Sequence, residues 1–267
     1  MKSEQQRPGA AVERRDETGP VRQGPAGLAQ ASVLVVGAGA LGCPAAWQLA
    51  AAGIGTLVIL DPDVVELSNL HRQVLHRTST LGAPKVESVA ARLRERHPHT
   101  RVEAHAERLT DQNLAHFFRA ADFVIDATDS VAAKFLINDG AVRFGRPYSH
   151  AGVLGFLGQA MTVSPRRTAC YRCLFPEPPP TDAIATCQEA GVIGALAGVI
   201  GSVQAAEAIK YLSGGAWLAD RLLTFDARSR RWRTVALARN PRCPVCSEQP
   251  STAAPLRDST EATRIHP

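Results

Sequence analysis

Short runs of Val, Leu and Ile alternate along this chain with longer segments rich in Ala and Leu. The short runs lack the polar alternation of a half-exposed strand, so they predict strands that are buried on both faces. The longer segments lie between Gly and Pro residues and predict helices. We expect strands at 32–36, 56–60, 101–106, 121–125 and 159–163, and helices at 41–52, 85–96, 132–143 and 193–212. Strands that alternate with helices predict an α/β fold, with a mostly parallel sheet and helices on both faces.

The pattern changes after about residue 165. Prolines at 176, 178, 179 and 180 mark an extended loop that runs to Cys187. Two short apolar runs, 221–225 and 232–237, then predict an antiparallel β-hairpin. The polar residues 1–26 are predicted to form an N-terminal arm, and residues 248–267 a flexible tail. Residues 27–247 are therefore predicted to form one domain, with a distinct C-terminal part from about 165 to 247.

Composition excludes several classes of protein. Of the 267 residues, 45% are hydrophobic and 21% are charged, which is ordinary globular composition. The net charge is +5, and no run of like charges supports nucleic-acid binding, so an anionic substrate explains the basic excess better. No signal-like apolar segment opens the chain, so we expect a cytoplasmic protein without a membrane anchor.

One uncharged stretch, between Glu189 and Glu207, raises the question of a membrane span. It contains Gly194 and Gly198 at the spacing at which membrane helices pack closely. A span needs about 20 apolar residues and is usually flanked by aromatic residues. This stretch is short and lacks aromatic flanks, so we expect a small-residue helix that packs in the core or at a subunit interface.

A glycine-rich turn lies between the first predicted strand and the first predicted helix. Its sequence, Gly-Ala-Gly-Ala-Leu-Gly at 37–42, lets the backbone approach a phosphate, and the following helix offers N–H groups to an anion. The next strand ends at Asp61, where a carboxylate accepts hydrogen bonds from ribose hydroxyls and repels a 2′-phosphate. Close packing of helix on strand is the alternative explanation for the glycines. Together these features predict an adenine-nucleotide site with Gly37, Gly39, Ala40, Gly42 and Asp61.

The charged residues that follow this aspartate indicate whether the nucleotide serves hydride transfer, as NAD does, or phosphoanhydride chemistry, as ATP does. Asp63 is followed by Ser-Asn-Leu-His-Arg-Gln at 68–73 and by Gly-Ala-Pro-Lys at 82–85. Arg72 and Lys85 are expected to converge on the phosphates. A hydride-transfer site does not need this second pair of cations, whereas phosphoanhydride chemistry does. Solvated surface charge is the alternative for both side chains.

A second acidic turn, Asp-Ala-Thr-Asp at 126–129, follows the predicted strand 121–125. Ligands of open parallel sheets collect beyond the carboxyl ends of the strands, so Asp129 is expected to face the same crevice as the glycine turn. A carboxylate beside a triphosphate is a natural partner for Mg²⁺, which prefers oxygen ligands. Capping of the helix that follows is the alternative role of Asp129, and the two roles are compatible.

Four of the six cysteines form two Cys-x-x-Cys pairs. Two such pairs complete a tetrahedral zinc site without an open coordination position. The zinc is therefore expected to be structural and to tie the C-terminal hairpin to the main sheet. Disulfides are the alternative, which the lack of a secretory signal disfavours. The predicted zinc ligands are Cys170, Cys173, Cys243 and Cys246.

The other two cysteines lie outside these pairs. Cys187 follows the proline-rich loop, where a thiol either attacks an activated acyl group or serves as a small packing residue, and both roles stay open. Cys43, at the start of the first predicted helix, is expected to lie in the core. The eight histidines show no metal-ligand spacing.

Several motifs of this chain occur together in one protein family. They are Val-Val-Gly-Ala-Gly-Ala-Leu-Gly at 35–42, the 68–73 segment, Lys-Val-Glu-Ser at 85–88, the 126–129 turn, Cys-Tyr-Arg-Cys at 170–173, Thr-Cys-Gln-Glu-Ala-Gly-Val at 186–192 and Cys-Pro-Val-Cys at 243–246. Over about residues 27–247 the chain resembles the MoeB/ThiF/HesA family of adenylyltransferases, bacterial relatives of the ubiquitin-activating enzymes. The resemblance implies a Rossmann-like sheet with a zinc-bound C-terminal hairpin. It also implies a homodimer that binds ATP with Mg²⁺ and adenylates the C-terminal glycine of a small ubiquitin-like sulfur carrier.

The resemblance implies roles for individual residues. Asp61 is expected to hold the ribose, and Asp129 to serve Mg²⁺ and catalysis. Cys187 matches a loop cysteine that enters a thioester or persulfide linkage in some relatives and is dispensable in others. The implied catalytic residues are Arg72, Lys85, Asp129 and Cys187. The implied nucleotide-binding set is Gly37, Gly39, Ala40, Gly42, Asp61, Asp63, Ser68, Asn69, Leu70, His71, Arg72, Lys85, Asp129 and Ser130.

One segment departs from the family pattern. The family usually begins with an Arg-Tyr-x-Arg-Gln-like segment whose arginine reaches the ATP site of the partner subunit. Here residues 12–16 read Val-Glu-Arg-Arg-Asp, without a tyrosine. Arg14 or Arg15 is the candidate for that role, and the identity of the carrier stays open.

The sequence therefore predicts an ATP-dependent adenylyltransferase for a MoaD- or ThiS-like sulfur carrier of molybdopterin, thiamine or related biosynthesis. Because no sulfurtransferase domain follows, we expect a separate sulfur donor, such as a cysteine desulfurase or sulfurtransferase. Adenylation of a peptide or natural-product precursor is the alternative with the same chemistry. An NAD-dependent oxidoreductase requires a nicotinamide-side catalytic pair that we do not find. A catalytically silent binding subunit is disfavoured by the presence of Arg72, Lys85 and Asp129.

Overall fold

A sheet of eight strands forms the centre of the protein in a computed structural model that describes residues 27–180 and 191–247. The strands are β1 Ser32–Val36, β2 Thr56–Leu60, β3 Arg101–His105, β4 Phe123–Asp126, β5 Tyr148–Leu154, β6 Leu157–Val163, β7 Arg221–Asp226 and β8 Arg231–Ala236. Their order in the sheet is β3-β2-β1-β4-β5-β6-β7-β8. Strands β1 to β5 are parallel, whereas β6, β7 and β8 each pair antiparallel with the strand before them.

The register of the parallel strands aligns three strand ends. Val36, the last residue of β1, pairs with Leu60 of β2 and with Asp126 of β4. Gly37 and Asp61 therefore leave the sheet at the same edge. This is the carboxyl edge, where ligands of such sheets bind.

Helices cover both faces of the sheet, which confirms the predicted α/β fold. They are α1 Gly42–Ala51, α2 Lys85–Arg96, α3 Asp111–Ala120, α4 Val131–Phe144, α5 Tyr171–Leu174 and α6 Gly194–Leu212. Successive residues of β1 point to opposite faces, so Val35 belongs to the apolar core under α1, α2 and α6, and Leu34 to the core under α3, α4 and α5.

Most predicted elements agree with the observed ones to within two residues. Helix α2 has the predicted bounds, and the predicted hairpin forms as β7 and β8. Strand β5 was not predicted, because Ser, His and Gly interrupt its apolar residues. Helix α3 was also missed, although Leu114, Phe117 and Phe118 have helical spacing and are buried.

Helix α6 packs against α1 through one of its glycines. A Cβ atom at Gly201 would lie 2.4 Å from the carbonyl oxygen of Leu41 and 2.7 Å from Cγ of Pro44. At Gly198 it would meet open space. The expected close packing of this helix is therefore confirmed, with Gly201 rather than Gly198 at the contact. None of the helices in the described residues is long and apolar enough to cross a bilayer.

The C-terminal hairpin is joined to the rest of the protein by the sheet itself. Strand β7 pairs with β6 from Leu157↔Asp226 to Met161↔Leu222. The paired cysteines add a second connection, because they bring the segment that follows this hairpin after β8 against the segment after β6.

Candidate functional site

The glycine turn after β1 is formed by contacts that exclude side chains. Gly37 has a φ of +103°, and a Cβ atom there would lie 2.6 Å from the carbonyl oxygen of Ala127. A Cβ atom at Gly42 would lie 1.8 Å from the carbonyl oxygen of Gly37. Glycine tolerates both the positive φ and the close approach. The turn therefore lies directly against the turn after β4 and against the start of α1.

Asp61 holds this turn from the neighbouring strand. One carboxylate oxygen accepts the Ala38 N–H at 2.7 Å, and the other accepts the Asp63 N–H at 2.9 Å. Burial raises the pKa of the Asp61 carboxyl, and the two backbone donors partly oppose that effect. Each carboxylate oxygen keeps a further lone pair. The predicted contact with ribose hydroxyls is therefore compatible with this structural role.

The two predicted cations are both held by neighbouring groups. Lys85, the first residue of α2, is buried, and its Nζ lies 2.8 Å from Oδ2 of Asp63. Arg72 is half-buried, and its Nη1 donates to the carbonyl oxygen of Ser68 at 2.8 Å. Neither side chain is freely solvated, so surface charge alone does not describe them.

The start of helix α4 leaves the second acidic side chain available. Ser130 is the N-cap, and its Oγ accepts the Ala133 N–H at 3.4 Å. The alternative that Asp129 caps this helix is therefore wrong. Asp129 is exposed, and its side chain has no hydrogen bond or ion pair within residues 27–180 and 191–247. Its carboxylate is accordingly open to a cation.

These features meet in a cavity of about 590 Å³ at the carboxyl edge of the sheet. This volume lies in the range that is typical of small-molecule sites. The predicted residues that line it are Gly37, Gly39, Ala40, Asp61, Asp63, Asn69, Arg72, Lys85, Asp129 and Ser130. The structure thus brings the glycine turn, the ribose candidate and the triphosphate candidates together.

Four residues of the predicted nucleotide set do not line this cavity. Gly42, the first residue of α1, packs against the carbonyl oxygen of Gly37 instead. Ser68 and His71 are exposed, and Leu70 is half-buried. Asn69, between them, is buried and lines the cavity. Only some residues of the 68–73 segment therefore reach the cavity. The sequence of a contiguous motif does not show which of its residues point toward a site.

Other polar residues of the cavity were missing from the predicted set. Gln73 is buried next to Arg72 in the chain, and its Oε1 has no hydrogen-bond partner among the described residues. The charged residues in the described lining are Asp61, Asp63, Glu66, Glu107 and Asp129 on the acidic side, and Arg72, Lys85 and Arg108 on the basic side. Carboxylates outnumber cations here, so a bound polyphosphate requires additional positive charge.

A buried ion pair lies directly behind the second acidic turn. Asp126 is fully buried, and one of its oxygens lies 3.3 Å from Nζ of Lys134 and 2.8 Å from Nδ1 of His150. The Thr128 hydroxyl donates to its other oxygen at 2.7 Å. Burial by itself would raise the pKa of the Asp126 carboxyl, but Lys134, His150 and Thr128 together lower it to about 2. The pair therefore fixes the start of the turn that carries Asp129.

The four paired cysteines form a second site. Their Sγ atoms all lie within 4.8 Å of one another, with 3.9 Å for Cys170–Cys173, 3.6 Å for Cys170–Cys243 and 3.5 Å for Cys173–Cys246. A tetrahedral zinc with Zn–S bonds of about 2.3 Å places its sulfur ligands about 3.8 Å apart. The four thiols are free, so the disulfide alternative is not observed. The residues present therefore fit a structural zinc.

Of the four remaining residues singled out from the sequence, the structure describes only one. Cys43 is fully buried, and burial raises the pKa of its thiol to about 12, which confirms that it belongs to the core. Cys187, Arg14 and Arg15 lie outside the described residues.

Comparisons with protein sequences identify related proteins. Residues 21–245 match the sequence profile of the ThiF family. The chain is 46% identical over 230 residues to the sulfur carrier protein adenylyltransferase of Thermus thermophilus, covering 84% of this chain and 85% of that protein. It is 47% identical over 231 residues to the adenylyltransferase and sulfurtransferase MOCS3 of Anopheles gambiae, covering 86% of this chain and 52% of that protein. The chain thus spans about half the length of this MOCS3 relative.

Solved structures with the same fold include E. coli MccB. Its complex with ATP superimposes with a TM-score of 0.73 at 24% identity, covering 83% of this chain and 68% of MccB. Its complex with N-formylated MccA gives a TM-score of 0.74 at 23% identity. At this level of identity the likeness shows the fold.

Proposed function

The chain belongs to the ThiF family, and from this premise we propose that it uses ATP to adenylate the C-terminal glycine carboxylate of a small ubiquitin-like sulfur carrier. The observation that carries the proposal is the cavity in which the glycine turn, Asp61, Arg72, Lys85 and Asp129 meet. The names of the relatives from T. thermophilus and A. gambiae support a sulfur carrier as the acceptor. The proposal covers carriers of molybdopterin, thiamine and related biosynthesis alike.

The proposed reaction needs little proton chemistry. The terminal carboxylate of the carrier is ionised at neutral pH, and one of its oxygens attacks the α-phosphorus of ATP. A new carboxyl O–P bond forms, the bond from the α-phosphorus to the oxygen that bridges to the β-phosphate breaks, and pyrophosphate leaves with the electron pair. No base has to remove a proton. The protein must therefore supply positioning and charge stabilisation.

Lys85 and Arg72 are suited to stabilise the charge that develops on the phosphates. The ammonium group of Lys85 is buried against Asp63, so its position is set before the nucleotide binds and little reorganisation is needed. The N–H groups of Gly39 and Ala40, before the start of α1, provide further donors to phosphate. Asp61 accepts the ribose hydroxyls and so sets the direction in which the phosphates extend.

We assign Asp129 to Mg²⁺. The described lining carries more carboxylates than cations, and Asp129 faces the cavity without a partner among the described residues. When it is bound, Mg²⁺ supplies positive charge to the triphosphate and to the departing pyrophosphate. Asp129 then contributes to catalysis by holding this charge in place.

The four paired cysteines would hold a structural zinc. Four thiolates close the coordination shell, so the metal is not available to the reacting groups. Burial raises the pKa of the Cys173 thiol to about 11 in the metal-free protein, so zinc binding is expected to release protons.

The proposal also includes the oligomeric state of the protein and the source of the sulfur. Family likeness supports a homodimer in which Arg14 or Arg15 reaches the neighbouring ATP site, and a separate cysteine desulfurase or sulfurtransferase as the sulfur donor. Adenylation itself does not require Cys187. A thioester or persulfide on that thiol belongs to a later step of sulfur transfer.

Exchange of pyrophosphate into ATP tests the proposal. Wild-type protein with a carrier that ends in Gly-Gly is expected to catalyse exchange that depends on Mg²⁺. Arg72→Gln and Lys85→Gln should each lower the rate by about 100-fold or more, because each removes a positive group next to the phosphates. Arg96→Gln, at the exposed far end of α2, is the matched control and should leave the rate unchanged. Unaltered exchange in both cavity variants, with normal thermal unfolding, contradicts the assignment.

A panel of acceptors separates the proposal from its nearest alternative. Exchange is expected with an intact carrier and should be lost when the carrier's final glycine is removed. Exchange with a short peptide and with none of the carriers would instead favour adenylation of a peptide precursor, which uses the same chemistry.

A further inference from the structure

The segment between β2 and α2 carries a buried imidazole that the proposed reaction does not use. His76 is 7% exposed and does not line the cavity. Its Nε2 lies 3.1 Å from the carbonyl oxygen of Ala38 in the glycine turn. Its Nδ1 lies 3.0 Å from Oγ of Ser88 in helix α2. The ring thus connects the glycine turn to the helix that begins with Lys85.

The two partners determine which ring nitrogen carries the proton. A carbonyl oxygen only accepts hydrogen bonds, so Nε2 must donate to Ala38. Burial lowers the pKa of His76, so the ring is neutral at pH 7 and Nδ1 is an acceptor 3.0 Å from Oγ of Ser88, a hydroxyl that also lies 3.1 Å from Oγ1 of Thr80. The imidazole is therefore fixed in one tautomer between the turn and the helix.

The bond to Ala38 also helps to set where the next peptide N–H points, together with the Cys43 thiol, which donates to the same carbonyl oxygen at 3.3 Å. The carbonyl and the N–H of a trans peptide point in opposite directions, and the described residues contain no cis peptide bond. Because the Ala38 carbonyl is directed at His76, the Gly39 N–H points away from the ring, and Gly39 lines the cavity. Asp61 holds the Ala38 N–H at the same time. The two successive peptide groups of the turn are thus both oriented by side chains.

Ser88 connects the same ring to the cation of the cavity. It follows Lys85 by three residues on α2, so the two residues lie on one face of the helix. Loss of the ring would therefore affect the phosphate-binding N–H of Gly39 and the position of Lys85 together.

We propose that His76 is a positioning residue for the nucleotide phosphates: its imidazole holds the Gly39 N–H and the start of α2 in the arrangement that binds ATP. The inference rests on the proposed ATP-dependent function. His76 acts through Gly39 and Lys85 and does not itself touch the nucleotide. A purely structural histidine would lower stability in all variants alike, without a selective loss of nucleotide affinity.

Two substitutions test the contributions of the two ring nitrogens separately. In His76→Gln the amide nitrogen takes approximately the place of Nε2 and still donates to Ala38, whereas the shorter His76→Asn reaches only toward Ser88. Calorimetric titration of the full chain with Mg·ATP measures the effect. The Kd is expected to rise about tenfold in His76→Asn and to stay within about threefold of wild type in His76→Gln. Thermal unfolding without nucleotide is recorded for each protein as the measure of stability.

Equal affinity of His76→Asn and wild type overturns the inference, as does an equal loss in the Gln and Asn variants. If His76→Asn does not fold, His76→Leu replaces it, because it keeps much of the buried volume and donates no hydrogen bond to Ala38. Its Kd should rise about tenfold, and a Kd within about threefold of wild type overturns the inference. Failure of the wild type to bind Mg·ATP overturns the proposed function itself, which distinguishes the two failures.

Discussion

Lys134 and Asp126 form a charged pair in the interior behind the cavity. Besides Asp126, Nζ of Lys134 donates to the carbonyl oxygens of Thr128 at 2.8 Å and Ala151 at 2.7 Å. All three of its hydrogens therefore have acceptors, which is the condition under which a buried ammonium is tolerated. The pair joins β4, α4 and β5 at the point where the chain turns toward Asp129.

This pair predicts how stability depends on pH. The pKa of Asp126 is lowered to about 2 in the folded protein, compared with about 4 in an unfolded chain. The stabilisation is complete above about pH 4 and is lost as the pH falls toward 2, because the unfolded state binds the proton first. Urea denaturation should show a loss of about 2 kcal/mol over this range from this group. His150, whose pKa is lowered by burial, adds a loss that begins below about pH 6.5.

The control is the double variant Asp126→Asn/Lys134→Met, which removes both charges and leaves the shapes similar. Between about pH 5 and pH 2, the wild type should lose about 2 kcal/mol more of its free energy of unfolding than the double variant does. Parallel pH profiles for the two proteins would show that the pair does not set this dependence.

At the scale of elements, the position of α6 depends on one glycine. Gly201→Ala would place a Cβ atom 2.4 Å from the carbonyl oxygen of Leu41, so α6 and α1 must separate. We expect the free energy of unfolding to fall by about 2 kcal/mol. Gly198→Ala on the same helix is the matched control: its site is open, and alanine favours the helix by up to about 1 kcal/mol. Similar values for the two variants in urea denaturation would refute the contact.

The sequence predicts a strand or helix well when the apolar residues of that element are enough to show that it is buried. Strands β1 and β2 have the predicted bounds, because an unbroken apolar run allows little other than a strand buried on both faces. Strand β5 lacks such a run, and its central place in the sheet comes from pairing with β4 and β6. Helix α3 was predictable in principle, since the periodic signal of Leu114, Phe117 and Phe118 is present.

At the scale of the whole molecule, the strand order decides which residues enter the site. Asp61 and Asp129 were predicted because each follows a strand that carries a recognisable motif. Glu107 and Arg108 follow β3 and were not predicted, since they reach the cavity only because β3 lies beside β2. His76 was not predicted either, because its role depends on the distance between the glycine turn and α2. Long-range packing of this kind leaves no local signal.

The cysteine cluster is expected to stabilise the whole protein through bound metal. Metal analysis should find about one zinc per chain. Cys173→Ser should lower the zinc content and reduce the thermal unfolding midpoint by several degrees, because the free energy of metal binding adds to that of folding. Cys43→Ser, buried outside the cluster, is the control and should keep its zinc. A full zinc content in Cys173→Ser, or a midpoint that chelation leaves unchanged, would argue against the assignment.

The aligned ends of β1, β2 and β4 place the glycine turn, Asp61 and the 126–129 turn at the carboxyl edge of the sheet, away from its opposite edge. The loop before β2 lies at that edge, and Gly53 within it faces open space. A five-residue strand such as β2 separates this loop from the cavity, a distance of about 16 Å. A reporter group or an inserted domain at Gly53 is therefore expected to lie far from the reacting groups, whereas Gly55 in the same loop packs against the carbonyl oxygen of Ala29 and leaves no room for one.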